Sequence, residues 1–265
     1  VSAVVERSEV ITSGPAEALA GLVGVPVPDL TALPVLWHWV YLLDRPAQAD
    51  LGPDGHLATG GVPSPPEPGR RRMWAGGRVR TVGPLRCGEP ATRRSYVRDS
   101  VDKRGRSGRL TIVTAVHEIS QRGGVVVTEE QDIVYREAAA EAPARVGQEP
   151  SVPVLPGEWS VPVDPVLLFR FSALTYNGHR IHYDRDYARD VEGYPGLVVH
   201  GPLQAILMAE SARRRRPSGL SFEYRLVAPL FDHQGCVVSS EPDGAAVATR
   251  VRDGSGRTTA VGTYL

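Results

Sequence analysis

Two tandem α+β units, each a buried helix followed by a run of antiparallel strands, are the fold class this sequence predicts. Three observations point to it. The phrase Arg80-Thr81-Val82-Gly83-Pro84-Leu85 returns as Arg225-Leu226-Val227-Ala228-Pro229-Leu230, both reading Arg-x-Val-small-Pro-Leu. After each phrase, apolar and polar residues alternate around a glycine-rich turn. Before each phrase lies an apolar stretch opened by a proline.

The first helix candidate is Leu33-Pro34-Val35-Leu36-Trp37-His38-Trp39-Val40-Tyr41-Leu42-Leu43, and the second is Gly201-Pro202-Leu203-Gln204-Ala205-Ile206-Leu207-Met208-Ala209. Proline at the first helical position loses no hydrogen bond, since that amide would be unpaired anyway. Both stretches are apolar nearly all round, so both should be buried. Each repeated phrase should end a strand, because proline cannot donate to the ladder. Leu110 to Ile119 and Val125 to Tyr135 flank Gly123-Gly124, and Ala246 to Val251 and Thr258 to Leu265 flank Asp253-Gly254-Ser255-Gly256. Alternation such as Ile112-Val113-Thr114-Ala115-Val116 suits half-buried strands. The Ala/Pro/Glu-rich segment from about Glu137 to Gly157 reads as a linker. It divides the chain into domains at 1–137 and 158–265, with 138–157 between. The first half also carries a Gly/Pro-rich insertion from about Arg45 to Gly69, long enough to cover a site.

Composition narrows the function. The 265 residues hold 30 Lys plus Arg and 30 Asp plus Glu, so net charge is zero. No long-range field favours nucleic acid or a membrane surface. No apolar run approaches the roughly 20 residues of a membrane span, and the start lacks a signal-peptide shape. Cys87 and Cys236 lie far apart without metal-ligand spacing, which fits a reducing, cytoplasmic setting.

Histidine is the side chain best suited to proton transfer near neutrality. Three of the seven, His179, His182 and His200, fall in one stretch, whereas His38, His56 and His117 bring no comparable polar cluster to the first half. The active site is therefore expected in the second half. Phe169 to Asn177 begins apolar and turns polar at Tyr176, a helical segment follows from about Asp186, and Gly193-Tyr194-Pro195-Gly196 must turn. Gly201 would stand at a helix N-terminus, where free N–H groups and the dipole stabilise an oxyanion. A histidine base with such a helix start meets the needs of thioester enolate chemistry. The base moves a proton at carbon 2 or activates water at carbon 3. Two other readings stay open: a metal held by His179, His182 and His200, which lacks an acidic or cysteine ligand at a recognisable spacing, and histidines that only support a loop.

Tyr176 to Asp184, together with Tyr194-Pro195-Gly196-Leu197-Val198-Val199-His200-Gly201-Pro202-Leu203, resembles the MaoC-like R-specific hydratase/dehydratase family. The similarity is to its mesaconyl-CoA, itaconyl-CoA and mitochondrial-type (type 2) 3-hydroxyacyl-thioester dehydratase branch. Leu36-Trp37-His38-Trp39, Met73-Trp74-Ala75-Gly76-Gly77 and Thr128 to Arg136 extend the resemblance over nearly the whole chain. It implies a double hot-dog fold, in which a long helix is wrapped by an antiparallel sheet, one half is catalytic and the other shapes the acyl pocket. It also implies a homodimer, an acyl-CoA or acyl-carrier-protein thioester as substrate, and no cofactor or metal.

The family motif Asp-x-Asn-Pro-x-His-x-Asp, laid on this chain by its histidine, matches at His182 and Asp184 and departs at Asn177, His179 and Arg180. An amide cannot act as a carboxylate base. His182 is then the principal acid/base, Asn177 orients water or the thioester, and His179 is the candidate second proton-handling group. Carboxylate control of the rate would give an acidic limb near pH 4–5, histidine control one near 6–7. Arg180, between the two histidines, is the candidate for a substrate carboxylate, as in a C5 dicarboxylic acyl-CoA such as mesaconyl- or itaconyl-CoA. Tyr176, Tyr183 and His200 join it as substrate-binding candidates. Arg70 to Arg72, Arg104, Arg106, Arg109 and Arg213 to Arg216 are candidates for the coenzyme A phosphates. Thioester hydrolysis on the same fold, or an accessory role in binding acyl thioesters without catalysis, are the alternatives.

Overall fold

The computed structural model describes residues 4–65, 70–105, 108–136 and 151–265. The first half forms β1 (Val5–Val10), α1 (Ser13–Val23), β2 (Arg71–Thr81), β3 (Pro90–Gly105), β4 (Gly108–Gln121) and β5 (Gly124–Arg136). The second forms β6 (Trp159–Val161), α2 (Pro165–Leu174), α3 (Gly201–Arg213), β7 (Ser221–Leu226), β8 (Cys236–Asp243), β9 (Ala246–Arg252) and β10 (Thr258–Tyr264).

The strands make one antiparallel sheet in the order β1-β3-β4-β5-β2-β7-β10-β9-β8-β6. Outward from its centre, β2-β5-β4-β3-β1 is mirrored by β7-β10-β9-β8-β6. The repeat seen in the sequence is thus a repeat of topology, joined where β2 pairs β7 from Gly76↔Arg225 to Arg80↔Ser221. β2 stops three residues before Pro84 and β7 three before Pro229, as the shared phrase requires. Both expected hairpins are present.

The helix α3 is the hot-dog helix. Every residue from Leu203 to Ala212 is buried, as an all-round apolar helix must be. Its polar members find partners inside: Gln204 Oε1 accepts from Thr259 Oγ1 at 2.8 Å, and Glu210 Oε1 accepts from Trp37 Nε1 at 2.8 Å. The helix α2 begins with Pro165 at its first position, and the Asp164 side chain caps it by accepting from Leu167 N at 2.7 Å. That is the usual work of an N-cap aspartate.

The matching helix of the first half does not form. Between Leu33 and Leu43 there is a single 3₁₀ turn, Trp37–Val40, bracketed by Leu36 and Leu42 at φ 73° and 54°. The stretch is buried as expected, but all-round apolarity cannot separate a helix from a compact coil. The tryptophan and histidine polar atoms decide the matter. Trp37 Nε1 reaches Glu210, while His38 Nε2 and Trp39 Nε1 converge on Glu129 at 2.9 and 2.8 Å. Adjacent side chains of a regular helix point about 100° apart and would not share one carboxylate so readily. The first half therefore does hold a polar cluster, His38, Glu129 and His117, but it is buried and internally bonded, with His117 Nδ1 on Ser95 Oγ at 2.8 Å.

Of the expected linker, residues 137–150 lie outside the described part. Val152 N donates to Gly254 O at 2.6 Å, tying the end of that segment to the β9–β10 turn. No helix among the described residues is long and apolar enough to cross a membrane.

Candidate active site

The catalytic candidates sit on a short excursion between α2 and α3. A 3₁₀ turn, Arg180–His182, is followed by a π-helical turn, Tyr187–Val191, where an ordinary helical segment was expected from about Asp186. The strand-like segment Leu197–Val199 stitches this turn down. Val198 N donates to Ile181 O at 3.0 Å, and His182 Nδ1 lies 2.7 Å from Val198 O. A carbonyl only accepts, so Nδ1 carries the hydrogen and Nε2 keeps its lone pair. His182 is buried, and burial pushes its pKa down to about 4, with the Val198 bond opposing and His56 reinforcing the shift. It is a neutral imidazole at working pH.

His182 stacks on His200, centroids 3.6 Å apart and planes 20° from parallel. His200 N-caps α3, is wholly buried and holds Ser172 Oγ with its Nε2 at 2.9 Å. A metal shared by His179, His182 and His200 is not what this arrangement offers, since stacked rings do not converge their nitrogens on one point. Gly201 follows His200 directly. A Cβ there would lie 2.1 Å from Leu226 Cδ1, so glycine lets β7 approach the helix start, whose first N–H groups have no intrahelical partner.

Asn177 is part of the turn geometry. Its Oδ1 accepts from His179 N at 3.0 Å in an Asx turn. Tyr176 and Tyr183 are exposed, and Tyr183 Oη donates to Gly178 O at 2.8 Å. Arg180 differs from its expected role. Nη2 pairs with Asp184 at 2.7 Å, Nη1 donates to Pro53 O at 3.0 Å, and the guanidinium lies 4.1 Å over Tyr187. Its charge is matched by Asp184, and it fastens the chain to the Pro53 carbonyl. Several members of the arginine clusters are pinned likewise: Arg70 on Thr111 and Tyr135, Arg71 on Glu192, Arg109 on Asp102, Arg213 on Glu210, Arg214 over Trp159, Arg215 on Ser240 and Arg216 on the Ala245 carbonyl. Arg106 lies outside the described residues.

The insertion of the first half covers this site. Its tip is a tight turn, with Gly52 N donating to His56 O at 2.7 Å and Gly55 at φ 87°. Arg180 N donates to Asp54 O at 2.9 Å. The tip brings Asp54 and His56 against His179, with the two imidazole centroids 4.1 Å apart. Sequence reasoning missed both residues. The signal available was Asp54-Gly55-His56 itself, proton-transfer groups around a turn-forming glycine in a loop otherwise rich in small residues.

A Cβ on Gly55 would fall 1.9 Å from Gly178 O, and its φ already favours glycine. Gly55→Ala should lift the loop from the Arg180–His182 turn and lower kcat/KM about 10-fold or more. Melting of the core should barely change, because α3 and the sheet are untouched. An unaltered kcat/KM would show that loop docking is irrelevant to turnover. A concavity elsewhere, around Arg78, Tyr96, Glu118 and Phe222, has Arg78 paired with Glu130 and Asp132 and Arg98 with Glu130, and no histidine lines it.

A long helix wrapped by a duplicated antiparallel sheet, with a neutral histidine beside its N-terminus, defines an acyl-thioester hydro-lyase of double hot-dog fold. The chain belongs to the hydroxyacyl-thioester dehydratase type 2 family, whose model matches residues 36–232. It is 48% identical over 238 residues to mesaconyl-C(4)-CoA hydratase of Chloroflexus aurantiacus, covering 89% of this chain and 84% of that one. It is 26% identical over 231 residues to the mitochondrial hydroxyacyl-thioester dehydratase type 2 of Schizosaccharomyces pombe, covering 77% and 76%. In fold it resembles a Mycobacterium tuberculosis protein described as a double hotdog, with TM-score 0.58, 16% identity and coverage of 99% and 94%.

Proposed function

We propose that the protein hydrates the 2,3 double bond of an enoyl-CoA carrying a second, free carboxylate, in the manner of mesaconyl-CoA. The observation that carries the reaction is His182. Its Nδ1–H is fixed on Val198 O, its Nε2 is free, and it stacks on the residue that caps α3. Nε2 removes a proton from water as the water oxygen bonds carbon 3. The π pair moves through carbon 2 onto the thioester oxygen, where the Gly201 N–H donates to it. Carbon 2 then takes a proton.

Arg72 supports the choice of substrate. It shares the inner face of β2 with Trp74, two residues on in an alternating strand, and it is half-buried opposite Tyr135. It has no carboxylate partner among the described residues, and its charge acts on both His56 and His179. A substrate carboxylate would supply the missing anion. A cytoplasmic setting is supported by the free cysteines Cys87 and Cys236, and a homodimer by family resemblance.

Mesaconyl-C4-CoA should be hydrated with kcat/KM about 10²-fold above crotonyl-CoA, a preference that Arg72→Gln removes. Enoyl absorbance near 260 nm and a free-thiol reagent follow the reaction together. Equal efficiency on both substrates would refute the dicarboxylate reading, and thiol release would make the enzyme a thioesterase.

A further inference from the structure

We infer that Asp54 and His56, carried by the covering loop of the first half, form the second proton-handling pair of the active site and replace the carboxylate missing at position 177. The inference rests on the hydratase reading and extends it, because it moves half of the acid/base machinery onto the other half of the chain.

Asn177 cannot accept a proton, and its Oδ1 is occupied by His179 N. Asp184 is paired with Arg180 on the more exposed side of the turn. Asp54, by contrast, is bound to an imidazole of the cluster. Its Oδ2 lies 3.2 Å from His56 Nδ1, and its Oδ1 accepts from His56 N at 3.0 Å. A carboxylate opposite Nδ1 fixes the hydrogen there and leaves Nε2 as the exchanging atom, the arrangement in which a carboxylate stabilises an imidazolium. The rings then run in sequence, His56 to His179 at 4.1 Å and His179 to His182 at 5.3 Å.

The charges around His56 make Asp54 decisive. It is faced by Asp54 from its own loop, His179 from the catalytic turn and Arg72 from β2, with His182 beyond His179. Asp54 is the anion of this group. Without it, a proton on any of these rings would meet only neutral imidazoles and a cation.

The step balances as follows. His182 Nε2 takes one proton from water while the water oxygen bonds carbon 3 and the π pair moves to the thioester oxygen. That proton passes from His182 by way of His179 to His56, which is neutral at rest and whose transient imidazolium Asp54 stabilises, and His56 Nε2 delivers it to carbon 2 as the enolate collapses. One water is added, and nothing is oxidised or reduced.

Asp54→Asn keeps an oxygen for the His56 amide and puts an uncharged NH2 donor in place of the carboxylate oxygen that faces His56 Nδ1. We expect kcat to fall about 10²-fold, with KM within about threefold. The solvent deuterium isotope effect on kcat should rise, since proton delivery to carbon 2 then limits the rate. His56→Gln should lose kcat similarly and serves if Asp54→Asn does not fold. A kcat within about threefold of wild type in both variants overturns the inference, as does a loss in Asp54→Asn with an unchanged solvent isotope effect, which would make the pair a loop anchor. The ligand atoms of Asp54, His56 and His179 lie within 4.8 Å of one another. Stoichiometric Zn²⁺ binding by calorimetry that is required for turnover and lost in Asp54→Asn would make them a metal cluster instead, again overturning it. Wild-type protein that hydrates no enoyl-CoA would remove the hydratase reading itself, an outcome distinct from all of these.

Discussion

Hydration by the His182→Gln variant is expected to be about 10³-fold slower in kcat than by the wild type. KM should change little, because the ring meets the reacting water and not the coenzyme or the acyl chain. Glutamine fills similar space, so circular dichroism and melting should report a folded protein. The substitution is needed because a pH profile alone no longer separates the candidates. An unperturbed histidine would give an acidic limb near 6–7, but burial draws His182 down to about 4, where a carboxylate would also titrate. An acidic limb near pH 4 in the wild type is therefore what the histidine base itself predicts. Turnover of His182→Gln within about tenfold of wild type would exclude His182 as the base.

The fold was legible in the sequence to the extent that local rules decided it. Pro84 and Pro229 end their strands for the same reason, glycine-rich turns close the hairpins, and a helix apolar on every side has nowhere to lie but the core. The segment Leu33 to Leu43 obeyed the same apolar rule without being a helix. Its outcome depended on where Glu129 and Glu210 lay in space, and sequence spacing does not carry that information.

The site divides along the same line. The sequence brings His179, His182, His200 and Gly201 forward as candidates because one short segment holds them, and the structure sets His182 against both His179 and His200. Arg180 was expected to face a substrate carboxylate, and its pairing with Asp184, four residues on and within easy reach of a turn, was not foreseen. Asp54, His56 and Arg72 reach the site through the docking of one half on the other, about 120 residues from the turn they cover by their sequence numbers. Long-range docking of this kind leaves only its end groups in the sequence. The covering loop was expected from its length, but not that it set Asp54 and His56 against His179.

Acidification from pH 7.5 to 5 is expected to lower the stability of the folded protein, beginning before its carboxylates titrate. His56, His179, His182 and His200 all have pKa values pushed below the ordinary 6.5, with burial the leading cause in each. Buried His117 is shifted in the same direction, again chiefly by burial. Between the folded and unfolded values the unfolded chain binds more protons, so stability must rise with pH. The stabilisation is fully present above about 6.5 and is lost as pH falls toward the folded value, about 4 for His182. His182 alone would lose roughly 2 kcal/mol by pH 5. The four site rings do not simply add, because a proton on one raises the barrier to a proton on the ring beside it. Urea midpoints measured across this range should therefore fall steeply, and a midpoint flat between pH 7.5 and 5 would contradict the burial of the cluster. His182→Gln carries one titrating ring fewer and should lose less stability over the same interval. A variant at once less active and less acid-sensitive would trace both effects to one imidazole, since the burial that keeps His182 a free base also makes its protonation unfavourable for the fold.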